Sequence, residues 1–500
     1  MRSVSRWTLA VAAVVVVVGC GDDDGSTPRP DAGPDRGAPD VGSDATPEAV
    51  VDPGMDAGLD AAADVSTDAA NEAAAPDTQT ADADPLASVL TPDEVATART
   101  LSPLPGVPRD TTNRYADDAK AAALGQRLFF EKRFSGPLAV GDDGTNGAVG
   151  AVGESGKLAC ASCHLGPGLD DRRSLPGNVS LGVDFLARNA LPLVNSSFYA
   201  WINWAGRFSA QWELPPAVLE NAKNMNGNRL QVAHVVFDKY RADYEAVFGP
   251  LDPAIGTDTA RFPAAGKPKA PGGMDGPWET MSGFDQDQVT RIIVNVGKAM
   301  QAHNRLLVSR NAAFDRFVSG DVAALGVAEV RGFKLFADKG CVSCHSGPHF
   351  SDGAFHNIGV PQSGPKVPAT DNGRFADIPP LVASGLSGTG RFSDDPAEGR
   401  RRQTGLTSTP SDGTKGQFRT PSLRGVAATA PYMHAGQHAT LEAVVDFYNV
   451  GGAAPAVGTK DPRMVPLGLS ASEKADLVAF LKTLGGDAVP AALLQDTSAP

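Results

Sequence analysis

The sequence feature that most constrains this chain is a five-residue pattern that occurs twice, as CASCH at 160–164 and as CVSCH at 341–345. The 500 residues include only five cysteines, and the two copies contain four of them. Two thiols at this spacing can form a redox disulfide, provide half of a zinc site or attach a c-type haem. The histidine that follows each pair favours haem, because thiols bond the porphyrin and imidazole binds its iron. A zinc ribbon would bring its cysteine pairs within about 20 residues of each other, so zinc and a redox dithiol are the weaker alternatives.

The pattern predicts two covalently bound haem c groups, each with one histidine ligand. A haem iron has a second axial position, and the group found there decides whether the iron transfers electrons or reacts with a small molecule. The predicted attachment and histidine-ligand residues are Cys160, Cys163 and His164 for the first haem and Cys341, Cys344 and His345 for the second.

The fifth cysteine ends the N-terminal segment MRSVSRWTLAVAAVVVVVGC, in which Arg2 and Arg6 precede a short apolar run. This is the organisation of a secretory signal peptide, and the end of the segment is similar to the lipobox of bacterial lipoproteins. We predict a lipoprotein signal peptide at 1–20, lipidation of Cys20 and a lipid-anchored location at the periplasmic face or cell envelope. An ordinary signal peptide or an uncleaved anchor is the alternative. The apolar run is shorter than a membrane span of about 20 residues, so the lipid is the only membrane contact expected.

Residues 21–85 carry 17 acidic residues against two arginines and almost no aromatic residues. Such a segment buries too little apolar surface to offset the entropy cost of ordering. We therefore predict a disordered linker, rich in Asp, Ala and Pro, at 21–95. Because the acidic charge is concentrated there, residues 86–500 are close to neutral and show no basic surface for nucleic acid.

An internal echo divides the rest of the chain. GQRLFFEK, starting at Gly125, precedes the first haem motif, and GFKLFADK, starting at Gly332, precedes the second. Both read as the end of a helix with a Leu-Phe pair facing a core. The fold class expected is all-α, with two cytochrome c-like haem domains, at 96–325 and 326–490, after the acidic tether.

Three further patterns refine this expectation. Apolar residues at helical spacing predict a helix over 285–307, and a capping box at Ser470 predicts a closing helix across the second haem helix. The glycine-rich stretch 135–156 predicts a surface loop, and 361–417 predicts a long irregular excursion. The residues alone leave Met433 and His434 as rival second ligands of the second haem.

Longer stretches resemble a known family. RTPSLRGVAATAPYMHAGQHATLEAVVDFYN, GPHFSDGAFHNIGV and RNALPLVNSSF followed by WAGR are similar to bacterial di-haem cytochrome c peroxidases and their MauG-like relatives, over roughly residues 95–490. The resemblance implies that Met433 is the second ligand of the C-terminal haem, with His434 its non-ligating neighbour. It also implies that Trp204 relays electrons between the haems, and that a calcium ion lies at the domain junction. The calcium ligands would be Asn189 and backbone carbonyls near Thr414 and Gly416.

The resemblance implies reduction of hydrogen peroxide at the N-terminal haem, with electrons from a small cytochrome c or a cupredoxin. Two departures bear on this activity. No histidine occurs between His164 and His234, so the usual histidine cap of the first haem is missing, and Asn224 stands where the family has a distal glutamate. The alternatives are therefore an electron-transfer cytochrome without peroxidase activity and MauG-like oxidation of a protein substrate. A homodimer is left open.

Overall fold

The computed structural model describes residues 84–164, 166, 168 and 177–500, all within one compact unit. Most of the regular structure in this part of the chain is helical, and a single two-stranded antiparallel sheet pairs β1 (Phe355–His356) with β2 (Phe418–Arg419). Among the described residues, no helix is both long and apolar enough to cross a membrane. The predicted signal peptide, Cys20 and most of the predicted linker lie outside the described residues.

The α-helices are short except for two, α5 and α6. In chain order they are α1 Pro92–Thr100, α2 Ala119–Phe129, α3 Cys160–Cys163, α4 Leu214–Glu220, α5 Arg229–Phe248, α6 Gly283–Asn304, α7 Ala313–Val318, α8 Val327–Asp338, α9 Arg374–Ala383, α10 Pro396–Arg402, α11 Leu441–Asn449 and α12 Ala471–Lys482.

Two predicted helices are confirmed, and the second of them begins at the predicted residue. Helix α6 covers most of the predicted 285–307, and Ser282 caps it by accepting the backbone NH of Asp285. Helix α12 begins with the predicted capping box, in which Ser470 accepts from the backbone of Glu473 and the Glu473 carboxylate accepts the Ser470 NH. These reciprocal bonds satisfy donors that a helix start leaves unpaired.

Each haem motif follows a helix that crosses a second helix at a glycine. A side chain at Gly125 in α2 would overlap the carbonyl of Ala299 in α6, and one at Gly332 in α8 would overlap the carbonyl of Asp476 in α12. Glycine is required at both crossings because the backbones approach so closely. The sequence echo is thus the sign of two similar crossed helix pairs, α2–α6 and α8–α12, and the predicted packing of α12 across the second haem helix is confirmed.

The compact unit contains two large hydrophobic cores. The first core is built mainly by α2, α5 and α6, and the second by α8, α11 and α12. The ends of the described chain pack on the opposite core. Leu86 and Val95 lie in the second core, whereas the backbone NH of Ala499 donates to the Tyr240 hydroxyl of the first core at 2.9 Å.

Three predictions need correction. The linker cannot extend to residue 95, because α1 and a 3-10 turn at Pro85–Ser88 bury apolar side chains from residue 86 onward. The stretch 361–417 is not wholly irregular, since α9 and α10 lie within it. The fold is mainly helical rather than purely α, because of the β1–β2 pair. The predicted loop 135–156 holds neither helix nor strand.

Candidate functional site

The first haem motif lies on a single helical turn. Helix α3 consists of Cys160–Cys163, so the two thiols are separated by less than one turn and both are half-buried. Burial raises the pKa of the Cys160 thiol to about 12. The His164 ring lies 6.4 Å from the ring of Phe129, the aromatic residue of the sequence echo on α2. The crossed pair α2–α6 therefore provides one wall beside the predicted iron ligand.

The second motif repeats this arrangement. A 3-10 turn at Cys341–Ser343 follows α8, and the His345 ring lies 6.4 Å from Phe336, the corresponding aromatic residue. His345 Nδ1 lies 3.0 Å from the carbonyl oxygen of Phe350. A ring that donates from Nδ1 to a carbonyl is held in one orientation and presents Nε2 to a metal. His345 is thus oriented as an iron ligand requires.

Arg419 offers an independent test of whether haem fits. Its side chain is buried, at 2% exposure, its Nε has no hydrogen-bond partner, and none of the carboxylates in the described part of the chain pairs with it. It stacks on Tyr199 and donates to the carbonyl of Thr420 at 3.4 Å. A buried cation without a counter-charge is costly. The propionate groups of a haem are carboxylates that would supply this charge, so the residues present fit the cofactor.

The segment 425–438, named here the second loop, contains both rival ligands of the second haem. The His434 ring stacks on Phe418 at 3.9 Å, and its Nε2 lies 2.8 Å from Gln362 Nε2. Burial lowers the pKa of His434 to about 4, so the ring is neutral at pH 7. Met433 is half-buried and has a left-handed backbone, with φ of 71°. Since His434 is engaged with other side chains, Met433 remains the predicted ligand.

The segment 195–208, named here the first loop, contains Trp204. Its indole Nε1 donates to the carbonyl of Asn189 at 2.8 Å, and the backbone NH of Asn189 donates to the carbonyl of His434, also at 2.8 Å. The carbonyl of Trp204 accepts the backbone NH of Arg419 at 2.8 Å. Hydrogen bonds therefore connect the predicted relay to the residue beside Met433.

Two of the predicted calcium ligands, Asn189 and Gly416, are linked to each other through His434. Asn189 bonds to His434, and Gly416 and His434 border the same cavity, which has a volume of about 20 Å³ and also touches Asp371. The carbonyl of Thr414 accepts the backbone NH of Gln417 at 3.3 Å. A cavity of this size holds about one water molecule. The calcium site stays a prediction.

A different group of metal-binding side chains does come together within the described ranges. The ligand atoms of Cys344, Asp352 and His356 lie within 4.8 Å of one another. The thiol of Cys344 is one of those predicted to attach haem, and a thioether sulfur would not complete such a site. His356 is instead held between two carboxylates, Asp352 at 2.9 Å and Asp461 at 3.0 Å, which is a structural role.

Asn224 lies close to the first attachment motif. Its carbonyl accepts the backbone NH of Val183 at 2.9 Å, and the same short segment passes Cys163, whose sulfur lies 3.9 Å from the carbonyl of Leu181. Glu220 ends α4, four residues before Asn224, and its carboxylate is not a solvated one that could replace the missing glutamate. It is paired with Arg229 at 2.7 Å, and both side chains are largely buried.

Two buried titratable residues of the first half were not identified from the sequence. His303 is 2% exposed, and its ring lies 5.7 Å from Phe129. Burial lowers the pKa of His303 to about 4. Glu213 is 4% exposed, and burial raises its pKa to about 7, although hydrogen bonds from Ser209 and Gly388 oppose this. The only sequence signal for His303 was its position in the apolar stripe of α6.

Two attachment motifs, each beside a crossed helix pair, define a mainly helical protein suited to hold two c-type haems. Comparison with known proteins agrees. A family model described as di-haem cytochrome c peroxidase matches residues 119–323. A cytochrome-c peroxidase of Denitromonas iodatirespirans is 32% identical over 394 residues, covering 77% of this chain and 86% of that protein. The methylamine utilization protein MauG of Methylorubrum extorquens is 30% identical over 376 residues, covering 74% and 79%.

Solved structures give the same result. A MauG-like protein associated with microbial copper homeostasis is 26% identical, with a TM-score of 0.51, and the match covers 79% of this chain and 97% of that one. The diheme peroxidase BthA from Burkholderia thailandensis, 21% identical with a TM-score of 0.51 over 80% of this chain and 99% of its own, shares the fold. The chain belongs to the family of di-haem cytochrome c peroxidases and MauG-like proteins, whose members carry two c-type haems.

Proposed function

We propose that this protein reduces hydrogen peroxide to water with electrons from a small redox protein, a c-type cytochrome or a cupredoxin. One peroxide, two electrons and two protons give two waters. The two haems would supply iron that stores and transfers the electrons and reacts with peroxide. Cys160, Cys163 and His164 would hold the first haem, and Cys341, Cys344, His345 and Met433 would hold the second.

The observation that carries this proposal is the hydrogen-bonded junction between the two loops. Trp204 donates to Asn189, and Asn189 donates to His434, whose neighbour is Met433. These hydrogen bonds link the indole to the second loop through Asn189. Trp204 is therefore positioned to carry electrons from the second half to the first, and Asn189 acts as a positioning residue.

The residues near the first haem motif suggest a slow chemical step. Asn224 can donate and accept hydrogen bonds through its amide, but it cannot take up a proton as a carboxylate can. Glu220 is held by Arg229 and is not available. Asn224 can therefore orient peroxide but not act as its general base.

This departure favours a second candidate function, MauG-like oxidation of a protein substrate, in which slow peroxide cleavage is no disadvantage. The third is electron transfer alone. We assign the protein to the periplasmic face or cell envelope, tethered by lipid on Cys20, because attachment of haem to CxxCH motifs takes place outside the bacterial cytoplasm. A calcium ion held by Asn189 with carbonyls near Thr414 and Gly416 would stiffen the junction.

The deciding experiment is steady-state turnover of hydrogen peroxide by the two-haem protein, with a reduced small cytochrome c as donor. We expect oxidation of two donor molecules for each peroxide. Trp204→Phe removes the indole donor, and it should slow turnover at unchanged haem content. Trp201→Phe is the matched control, because this neighbouring indole packs on Arg374 and Phe355 and has no assigned role. Donor oxidation that does not depend on peroxide would contradict the proposal and support electron transfer alone.

A further inference from the structure

The first and second loops are copies of one structural unit. Each begins with a left-handed residue, Asn195 with φ of 61° and Gly425 with φ of 71°, followed by a 3-10 turn at Ser196–Phe198 or Val426–Ala428. The backbone NH groups of these left-handed residues donate, at 2.9 Å in both cases, to the carbonyls of Leu307 and Leu484 respectively. Those carbonyls follow the ends of α6 and α12. The start of each loop is thus hydrogen-bonded to the residues that directly follow α6 or α12, the second helix of each crossed pair.

The loops also end alike. A single antiparallel bridge joins Ile202 to Phe208 in the first loop, and another joins Tyr432 to His438 in the second. Inside each bridge the residue that follows the first bridge partner is left-handed. This residue is Asn203 in the first loop, with φ of 73°, and Met433 in the second, with φ of 71°.

The register between the two copies needs no insertion. Matching the left-handed starts, the 3-10 turns and the bridges places Asn203 at the position of Met433 and Trp204 at the position of His434. The closing helices cross the haem-motif helices at corresponding glycines, as described above. Position 203 in the first loop is therefore the structural counterpart of position 433 in the second.

We propose that Asn203 is the residue presented to the open face of the first haem, at the place where Met433 is presented to the second. This inference rests on the proposed function, through the assignment of Met433. An amide is not among the usual haem ligands, which are His, Cys, Met and Tyr. The same loop therefore closes one iron and leaves the other open, and the difference lies in one side chain.

The role expected for Asn203 is to position an oxygen ligand. Its Oδ1 accepts the backbone NH of Trp204 at 2.7 Å, which leaves the amide NH₂ as the group that can donate to a bound peroxide or anion. Asn203 would then act together with Asn224, so that two amides face the site.

Asn203→Met in the full two-haem protein tests the inference directly. Ferric haem with a methionine ligand has a near-infrared band, and this band should increase about two-fold because both irons would now carry methionine. Binding of cyanide to the oxidised first haem should be lost. Asn311→Met, at an exposed left-handed position outside both loops, is the control and should change neither property.

A second variant keeps the inference falsifiable if methionine fails to reach the iron. Asn203→Ala removes the donor and should weaken cyanide binding about 2- to 10-fold, the scale of one hydrogen bond. An unchanged band in Asn203→Met together with unchanged cyanide binding in both variants would overturn the assignment. Met433→Ala distinguishes failure of the Met433 assignment from failure of the Asn203 inference. If that variant keeps the native band, the assignment of Met433 fails; if it loses the band and Asn203 variants have no effect, only the new inference fails.

Discussion

The helix pairs α2–α6 and α8–α12 differ at the position that faces the aromatic residue beside each haem motif. In the second half Phe480 lies 5.2 Å from Phe336, and in the first half His303 lies 5.7 Å from Phe129. A similar contrast is found just after each loop in the chain, where the buried Glu213 of the first half corresponds to Ala443 of the second. At these two positions, therefore, the half predicted to transfer electrons has an apolar side chain and the half predicted to react has a buried titratable one; elsewhere both halves bury charged or titratable groups, such as His434 in the second.

The difference teaches that duplication fixed the framework but not the polarity of the site. A buried carboxyl and a buried imidazole destabilise a core unless they are neutral, and the pKa values of Glu213 and His303 are shifted toward their neutral forms. At these two positions the first half carries this cost and the second does not. Four experiments bear on the comparison.

The largest expected effect tests whether the halves hold haem independently. Replacing Cys160 and Cys163 by alanine should remove one of two haems and leave the second attached, because each motif lies against its own helix pair. Replacing Cys341 and Cys344 should give the reciprocal result. Haem-stained denaturing gels and the intact mass measure the number attached. Loss of both haems from either variant would mean that the two sites are not separate.

The second experiment concerns the reactivity expected of the first half alone. Asn224→Glu restores a carboxylate beside the segment that passes Cys163, and it should speed peroxide cleavage by about 10²-fold, the scale of a positioned acid–base group. Stopped-flow mixing with peroxide, with and without prior reduction, measures the rate. Asn226→Glu, two residues along, is the control. Equal rates in the wild type and Asn224→Glu would place the reactive pocket elsewhere.

The third experiment uses the pKa of Glu213, which burial raises to about 7 from an ordinary value of 4.5. Because the native state binds this proton more tightly than the unfolded chain, the free energy of unfolding should fall as pH rises from about 4.5 to about 7. Glu213→Gln cannot ionise. Relative to the wild type, its free energy of unfolding should be roughly 3 kcal/mol higher at about pH 8 than at about pH 4.

Denaturant unfolding at the two pH values measures this difference. Glu279→Gln is the control, since hydrogen bonds from the backbone NH groups of Gly276 and Lys269 lower the pKa of that carboxyl, so its loss should not reproduce this pH dependence. A pH-independent difference between Glu213→Gln and the wild type would show that Glu213 is ionised in the native protein.

The smallest expected effects test the glycine helix crossings, which both halves have in common. Gly125→Ala and Gly332→Ala each force a methyl group against a facing backbone, and each should lower the free energy of unfolding by about 1–3 kcal/mol. Gly283→Ala, at the start of α6 where a Cβ meets no atom within 4 Å, should change it by less than about 0.5 kcal/mol. Tolerance of alanine at only one crossing would show that the two helix pairs are packed differently.

Much of this architecture could be predicted from local patterns. The attachment motifs, the echo around Gly125 and Gly332, and the capping box at Ser470 depend on neighbouring residues, and the structure has the helices they indicate. The equivalence of Asn203 and Met433 could not be read in this way, because the two loops share backbone conformation and little sequence. Tyr199, on which Arg419 stacks, and Gly388, which donates to Glu213, are distant in the chain, so the burial of Arg419 and Glu213 followed only from the assembled fold.

Each end of the described chain packs on the opposite core, and this has a consequence for how the chain folds. Leu86 enters the second core, whose helices are synthesised last, while Gln126 on the first haem helix donates to the carbonyl of Ala492 at 2.7 Å. Domains usually fold as units, the N-terminal one first during synthesis. Here neither half has its full set of contacts until nearly the whole chain has emerged. If the chain were cut between the halves, each fragment would contain a terminal segment that packs on the core of the other. The two fragments should therefore reassociate rather than remain as separate stable proteins.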